Sequence, residues 1–319
     1  MDNNQRPKKF VQAGGNLMNE ISPLMLSGSL IASGVPFADA YERALAIVNL
    51  VPDSGISNED YIALVINFLS GEEKVRYVVL KLVKLYLLSK KNSSPFFIFI
   101  GGMGGKTILG NYIAPHLRIS QAIAIDNEKY RIVDPSKDQD YLWKATYESA
   151  EGYVKTVEAL TPWMMKMLDR NRFDFRRFRK WCYLWEGICL TPKSVKELMS
   201  KAKRVHHLSV FILPAFDDIR KRYLIRWQEE LGIEQLKKRR NIIDRYLQNI
   251  QVIRSHIADH IDPVASFVIG STLLEERLEA FYALLYQKLK DIADSNIKGW
   301  VEKIAEDPKR IKKFTNFLE

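Results

Sequence analysis

The stretch FFIFIGGMGGKT, residues 96–107, decides the fold. Residues 96–100 form a short, continuous apolar run of aromatic and β-branched side chains, which is typical of a strand buried on both faces, as in a parallel sheet. A glycine-rich turn follows at once, then Lys106 and Thr107, and then a helical pattern over residues 108–113. A strand, a glycine-rich turn and a helix in this order predict a phosphate-binding loop.

Each residue type in this loop has a physical role toward a polyphosphate. Glycines permit positive φ and a close approach of backbone N–H groups to phosphate oxygens, and the helix N-terminus adds partial positive charge. The ammonium group of Lys106 would reach the β- and γ-phosphates, and the hydroxyl of Thr107 would coordinate Mg²⁺. The sequence therefore predicts ATP and Mg²⁺ as cofactors, with six nucleotide-binding residues: Gly101, Gly102, Gly104, Gly105, Lys106 and Thr107.

The loop departs from the standard spacing in one respect. The usual motif reads G-x-x-x-x-G-K-[ST], whereas three residues separate Gly101 from Gly105 here. A shorter loop would wrap a phosphate less completely, unless the backbone of Ile100 extends the arc. The alternative interpretation is a glycine-rich β–α turn beside an incidental Lys–Thr pair.

Three further apolar runs follow, with helical patterns between them, and they end at Asp126, Glu186 and Pro214. Strands that alternate with helices predict an α/β domain with a mainly parallel sheet. Ligands bind at the carboxyl ends of such strands, so Asp126 and Glu186 should converge near the phosphate loop. We expect both to be catalytic, because a carboxylate there can accept a proton from a substrate hydroxyl or hold Mg²⁺. Glu186 is also the predicted magnesium ligand. The alternative for each is a helix cap.

The net charge of +10 is concentrated in two segments, residues 166–180 and 220–245, which each carry five excess positive charges. Concentrated lysine and arginine indicate an anionic partner: nucleotide phosphates, a small phosphorylated substrate or, less favoured, nucleic acid. Two amphipathic helices with solvated basic faces are the alternative. Arg222 and Arg226 lie where a mobile lid could close over ATP, and are predicted to hold the charge on the transferred phosphoryl group.

Two domains are expected. Residues 1–92 show helical spacing and no motif for chemistry, and the polar segment 89–95 is the predicted boundary. The second domain, residues 93–319, would contain the α/β core, a lid near residues 217–245 and an almost wholly helical C-terminal extension.

Composition and patterning exclude several classes. We expect that two cysteines, Cys182 and Cys189, do not form a disulfide framework or a four-ligand zinc site, and that both are buried. We find no secretory signal and no bilayer-spanning stretch, so we expect a cytoplasmic protein with no membrane partner. His256 and His260 have a spacing that could suit a metal, but a solvated helix end is the favoured interpretation.

The order of these pieces resembles the archaeal 2-phosphoglycerate kinases, which are P-loop kinases with an N-terminal ATP-cone-like region. The resemblance covers most of the chain in scattered blocks: SPLMLS at 22–27, IASG at 31–34, ADAYE at 38–42, IFIGG and GKT within 98–107, ID at 125–126, WEGI at 185–188, and Arg222 with Arg226. It implies a P-loop kinase-type sheet flanked by helices and an ATP-cone-like N-terminal domain. It also implies transfer of the ATP γ-phosphate to the 3-hydroxyl of 2-phosphoglycerate, giving 2,3-bisphosphoglycerate.

The same resemblance implies the substrate-binding residues. Lys129 or Arg131 would replace a family arginine, and Tyr147 lies in the segment that corresponds to a polar acceptor-binding run. Two other functions stay open at this point. One is a polynucleotide kinase of the same fold that uses the two basic segments, and the other is a nucleotide-binding or partner-binding protein without catalysis, which the short loop suggests.

Overall fold

The computed structural model describes residues 9–12, 18–89, 92, 94–119, 122–132, 140–142, 145–178, 180–262 and 266–318. The chain divides into two compact units. The first comprises the described parts of Met1–Ser93, Tyr112–Ser120 and Leu278–Glu319, and the second comprises those of Ser94–Asn111 and Gln121–Arg277. Residues 278–319, which the sequence prediction assigns to the second domain, therefore belong to the first unit.

The N-terminal part of the first unit is mainly helical. Its elements are the strands β1 (Phe10–Gln12), β2 (Met18–Glu20) and β3 (Ile56–Ser57), and the helices α1 (Pro23–Ile31), α2 (Phe37–Asn49), α3 (Asn58–Asn67) and α4 (Gly71–Leu88). The strands form a small sheet in which β1 is antiparallel to β2 and parallel to β3. The predicted helical character is confirmed, but the three strands were not predicted, because strands of two or three residues leave no periodic pattern.

Five parallel strands form the centre of the second unit: β4 (Phe96–Gly102), β5 (Ala122–Ala124), β6 (Cys182–Glu186), β7 (His206–Ile212) and β8 (Phe267–Ile269). Their order in the sheet is β5-β6-β4-β7-β8. All seven residues of β4 are buried, which confirms the prediction of a strand covered on both faces and of an α/β unit with a parallel sheet. The sequence prediction lacked β8, which is a three-residue strand in a region expected to be helical.

The remaining elements are helices α5 (Lys106–His116), α6 (Ile125–Glu128), α7 (Ala150–Phe178), α8 (Pro192–Lys201), α9 (Phe216–Leu231), α10 (Ile233–Lys238), α11 (Arg240–Asp259), α12 (Leu274–Asn296), α13 (Lys298–Glu306) and α14 (Ile311–Leu318). The division between the two units falls within α5 and α12. Among the described helices, none combines the length and the apolar character that a bilayer span requires.

Aromatic side chains fix β4 against β6. Phe97 stacks on Tyr183 with ring centroids 5.1 Å apart, and both Phe97 and Phe99 meet Trp185 edge-on at 5.8 and 5.6 Å. Such rings contribute large buried areas and a preferred geometry, so they oppose any slip of the two strands. The resulting register pairs Ile100 with Glu186. The carboxyl end of β6 is thereby held beside the carboxyl end of β4.

The sheet order places a crevice at the carboxyl end of β4. The chain leaves β4 toward β5 in one direction along the sheet, and it leaves the adjacent β7 toward β8 in the other. Adjacent strands whose connections run in opposite directions open the crevice in which α/β proteins bind their ligands. The glycine-rich turn after β4 is therefore at the position where this architecture favours a ligand.

Candidate phosphate-binding site

The glycines of the turn fall into two groups. Gly101 and Gly102 belong to β4, and a Cβ atom on them would lie 2.2 Å from the Leu190 carbonyl oxygen and 2.3 Å from the Ile212 carbonyl oxygen. These two positions are glycine because neighbouring backbone packs directly against them. Gly104 and Gly105 form the turn itself. Their φ angles are 79° and 84°, a backbone conformation that residues with a Cβ atom rarely adopt.

Backbone N–H groups line the turn without backbone partners. Within the described chain, the N–H of Met103 donates to the Ile212 carbonyl oxygen at 2.7 Å, whereas those of Gly104 and Gly105 reach no backbone acceptor. Helix α5 starts at Lys106, so the N–H groups of its first turn also lack intrahelical acceptors. Together these donors and the helix dipole create positive potential at one point.

Lys106 adds a full positive charge to this end of α5. Its side chain is partly exposed and forms no hydrogen bond or ion pair with the residues that the structure describes. Burial raises the pKa of the Glu186 carboxyl group, and the positive charge of Lys106 opposes that increase. The ammonium group is thus available to an anion at the turn.

Thr107 and Glu186 form a direct contact, which joins the start of α5 to the end of β6. The hydroxyl Oγ1 of Thr107 donates to Oε1 of Glu186 at 3.0 Å. Glu186 is 5% exposed, and burial raises the pKa of its carboxyl group, against the opposing effects of Lys106 and of the Thr107 hydrogen bond. The negative charge of Asp126 raises that pKa further.

Asp126, at the start of α6, holds the turn that follows β6. Its Oδ2 accepts the N–H of Ile188 at 2.8 Å and its Oδ1 accepts the N–H of Cys189 at 3.1 Å. A Cβ atom on Gly187 would lie 2.8 Å from Oδ1, so glycine is needed for this approach. The carboxylate does not cap its own helix α6, which was the alternative interpretation from the sequence.

Asp126 also lines a narrow cavity of about 30 Å³. Lys129, Tyr153, Thr156 and Cys189 share this cavity, so a cation, two hydroxyls and a thiol face the same space as the carboxylate. Tyr153 is held by a hydrogen bond from its hydroxyl to the Ile188 carbonyl oxygen at 2.9 Å. The cavity thus offers both charge signs and hydroxyl groups close to the Asp126 carboxylate.

The structure brings the two predicted lid arginines to the turn. Arg222 and Arg226 of α9 line a pocket of about 180 Å³ together with Gly104, Ile219 and Tyr223. Arg222 donates through Nη2 to the Thr272 carbonyl oxygen at 3.1 Å. Arg226 is exposed and donates through Nε to Glu230 at 2.7 Å, an i, i+4 ion pair on the helix surface. Such an exposed pair contributes little stability and can be exchanged for another anion.

The predicted substrate residues are dispersed. Lys129 faces the cavity beside Asp126. Arg131 is exposed, with Nε 3.0 Å from Glu128 on the preceding turn. The Tyr147 ring packs in an aromatic cluster, with centroids 5.1 to 5.9 Å from those of its neighbours: Tyr223, Trp227 and Tyr246. Of these three predicted residues, Lys129 is the one that the structure places at the cavity.

Sequence reasoning missed Arg277, at the start of α12. This side chain is 3% exposed, and it donates through Nε to the Ser271 carbonyl oxygen at 2.7 Å and through Nη1 to the Gly104 carbonyl oxygen at 3.2 Å. Burial lowers the pKa of its guanidinium group, and the charge of Arg222 lowers it further. The residue lies within the polar segment LEERLE, which carries no motif. The short apolar run at 267–269 just before it is a signal for a strand, and it does not indicate the contact of Arg277 with Gly104.

Cys182 and the histidine pair do not line the cavity beside Asp126, whereas Cys189 does. Cys182 and Cys189 are free and buried, as predicted, and burial together with Asp126 raises the pKa of the Cys189 thiol. His260 contacts the His256 carbonyl oxygen through Nδ1 at 2.7 Å, at the end of α11. Within the described residues, no cluster of three or more His, Cys, Asp or Glu side chains is arranged to hold a metal ion.

Comparisons with protein-family models, curated proteins and solved structures find no match to this chain.

Proposed function

We propose that the chain is an ATP-dependent kinase that phosphorylates a hydroxyl of a small phosphorylated acid. One observation carries the proposal: at a single sheet edge, N–H groups of a glycine turn that reach no backbone acceptor among the described residues meet Lys106, the Thr107–Glu186 pair and two arginines. Phosphoryl transfer requires mainly positioning and stabilisation of negative charge, and these groups supply both.

The phosphate side of the proposed reaction uses the turn and α9. The N–H groups of Gly104 and Gly105 and the ammonium of Lys106 would bind the β- and γ-phosphates. Arg222 and Arg226 line the pocket over Gly104, so they would hold the oxygens of the transferred group with planar, bidentate donors. Gly232, with φ of 77°, separates α9 from α10, so closure of α9 over the nucleotide would have its bend there.

The residues at the start of α5 fit a magnesium ion. Mg²⁺ prefers hard oxygen donors and usually combines one or two protein oxygens with water and substrate phosphates. The Thr107 hydroxyl and the Glu186 carboxylate are such donors and are 3.0 Å apart. When bound, Mg²⁺ would neutralise charge on the phosphates. The Thr107 hydroxyl would keep its hydrogen bond to Glu186 and present an oxygen lone pair toward the phosphate side.

We place the acceptor at the Asp126 carboxylate, where the adjoining cavity of about 30 Å³ would have to open to admit a phosphorylated acid. Asp126 accepts the backbone N–H groups of Ile188 and Cys189 and a hydrogen bond from the Cys189 thiol, which leaves about one lone pair for the proton of an acceptor hydroxyl. Lys129 gives the cavity a cation suited to an acidic substrate. The resemblance to the archaeal 2-phosphoglycerate kinases makes 2-phosphoglycerate the first acceptor to test.

The test is Mg²⁺-dependent turnover of ATP with a panel of phosphoglycerates and sugar phosphates. We expect one phosphorylated hydroxy acid to stimulate turnover, and Lys106→Ala to abolish the stimulation while Lys201→Ala, an exposed lysine on α8, leaves it unchanged. Asp126→Asn should slow the stimulated rate more than it weakens ATP binding. Failure of every acceptor to stimulate turnover would contradict the proposal.

Oligonucleotides belong in the same panel, because the 220–245 segment includes the pocket arginines. A polynucleotide kinase would bind them with an affinity that falls steeply with salt, as several phosphate contacts require. ATP that binds and is never turned over, with any acceptor, would favour a nucleotide-binding protein without catalysis.

A further inference from the structure

The turn that binds phosphate in the proposed function is one residue shorter than the standard motif. Each residue of such a loop contributes a backbone N–H to the phosphate, so a shorter loop offers fewer donors. Two of its amides, those of Gly104 and Gly105, have no backbone acceptor in the described chain. A further donor close to these amides would compensate for the missing residue.

The guanidinium of Arg277 occupies that place. A Cβ atom on Gly105 would lie 1.9 Å from Nη1 of Arg277, so only a glycine backbone allows this approach. Nη1 donates to the Gly104 carbonyl oxygen and Nε donates to the Ser271 carbonyl oxygen, which fixes the plane of the group against the turn. The orientation of the side chain is therefore set before any ligand arrives.

The third nitrogen of this group has no partner. Nη2 is buried and forms no hydrogen bond with any described residue, and Arg277 forms no ion pair with a described carboxylate. A buried charge that lacks a counter-ion, and a buried donor that lacks an acceptor, are both costly. The charge of Arg222 nearby raises the cost. An anion at the turn would offset both positive charges, and it would satisfy Nη2 once the atoms that cover this nitrogen move aside.

We propose that Arg277 is a phosphate-binding residue that supplies the donor missing from the shortened turn, with Nη2 donating to an oxygen of a bound polyphosphate. The inference rests on the proposed function, since it concerns the same turn. It assigns the ligand class independently of the acceptor: a linear polyphosphate, either free or as the tail of a nucleotide.

The experiment measures binding of inorganic tripolyphosphate and of Mg·ATP by calorimetry to the full chain and to Arg277→Lys and Arg277→Ala. A hydrogen bond to a charged group accounts for about ten- to a hundredfold in affinity, so we expect both variants to bind tripolyphosphate about that much more weakly. Arg254→Lys is the matched control, because Arg254 also donates to a backbone carbonyl, that of Pro214, at 2.9 Å. It should bind as the wild type does.

A second measurement separates binding from folding. Guanidinium ion added at low concentration should restore tripolyphosphate binding to Arg277→Ala, because it can enter the vacated space, and it should not strengthen binding to the wild type. Unchanged affinity in both Arg277 variants would overturn the inference and leave the kinase proposal standing. A wild-type chain that binds neither tripolyphosphate nor Mg·ATP would overturn both.

Discussion

Gly102 shows how one residue can be required by two separate constraints. Its φ is 91°, and a Cβ atom there would lie 2.3 Å from the Ile212 carbonyl oxygen and 2.7 Å from the Ile212 nitrogen. We predict that Gly102→Ala lowers the free energy of unfolding by at least about 1–3 kcal/mol, the usual cost of a strained backbone conformation. Urea denaturation measures this change.

Gly299→Ala serves as the control for that variant. Gly299 lies in α13, and a Cβ atom there would meet no atom within 4 Å. Alanine is favoured over glycine in a helix by roughly 0.5–1 kcal/mol, so this variant should be slightly more stable than the wild type. Equal effects at the two positions would show that β4 and β7 can move apart without cost.

The ionisation of Glu186 should be visible in the pH dependence of stability. Burial raises the pKa of this carboxyl group above its usual value of 4.5. The folded chain therefore binds this proton more tightly than the unfolded chain does. The contribution of this group to the free energy of unfolding is highest when Glu186 is protonated, and it falls as pH rises from 4.5 through the higher pKa of the folded state. Glu186→Gln, which stays neutral, should gain stability relative to the wild type as pH rises through that range.

Equilibrium unfolding of both proteins at several pH values checks this result. A difference in unfolding free energy that stays constant with pH, or that falls as pH rises, would contradict the assigned direction of the pKa shift.

At the residue scale, a linear motif and a strand end led the sequence to predict Lys106, Thr107 and Glu186 as site residues, and the structure places Thr107 in contact with Glu186. For Asp126 the sequence offered a catalytic carboxylate or a helix cap, whereas the structure engages the carboxylate with two backbone N–H groups of the turn after β6. Arg277 could not be predicted, since its contact with Gly104 spans 173 positions and depends on where β8 places the start of α12.

At the scale of the element, α8 depends on its first turn. Thr191 accepts the N–H of Ser194 at 3.1 Å, and the Ser194 hydroxyl accepts the N–H of Thr191 at 2.9 Å, so the pair forms a capping box. Both residues are almost fully buried. Thr191→Ala should reduce the unfolding free energy by about 1–2 kcal/mol, since it leaves buried N–H groups without an acceptor.

Thr191→Ser provides the comparison, because it keeps the hydroxyl and removes one methyl group. Thermal or urea denaturation should place this variant between the wild type and Thr191→Ala. If Thr191→Ser is as unstable as Thr191→Ala, packing of the methyl group and not the cap stabilises the start of α8.

The strands of the large sheet were predictable to different degrees. β4 and β6 are long apolar runs, and the sequence located both to within a few residues. β8 and the three strands of the first unit have two or three residues each, and their pairing is set by contacts distant in sequence, which no local pattern records.

At the scale of the whole molecule, the first unit is assembled from three separate parts of the chain. One contact within it joins two of them: His116 Nδ1 and the Tyr282 hydroxyl are 2.6 Å apart and buried. Tyr282→Phe would leave the imidazole nitrogen without a partner, so we predict a loss of about 1–3 kcal/mol in unfolding free energy.

Tyr86→Phe is the matched control within the same unit, because the Tyr86 hydroxyl donates to Asn296 at 3.0 Å in an exposed position. Water can replace that bond, so the loss should stay below about 0.5 kcal/mol. Equal losses in the two variants would contradict the assignment of the buried pair as a link between segments 112–120 and 278–319.

The sequence could not predict this assembly. The polar segment at 89–95 marks a change of composition, but no pattern indicates that residues 278–319 return to the first unit. Helical periodicity identifies which face of a helix is buried and does not identify the partner that covers it.

Calorimetric titration of the wild-type chain with Mg·ATP, beside Lys106→Ala and the control Lys201→Ala, is the most direct test of the phosphate-binding turn. We predict saturable binding to the wild type and to Lys201→Ala, and binding weaker by about tenfold or more in Lys106→Ala. Absence of binding to the wild type, or equal affinity in all three proteins, would contradict the assignment of the 101–107 turn as a polyphosphate site.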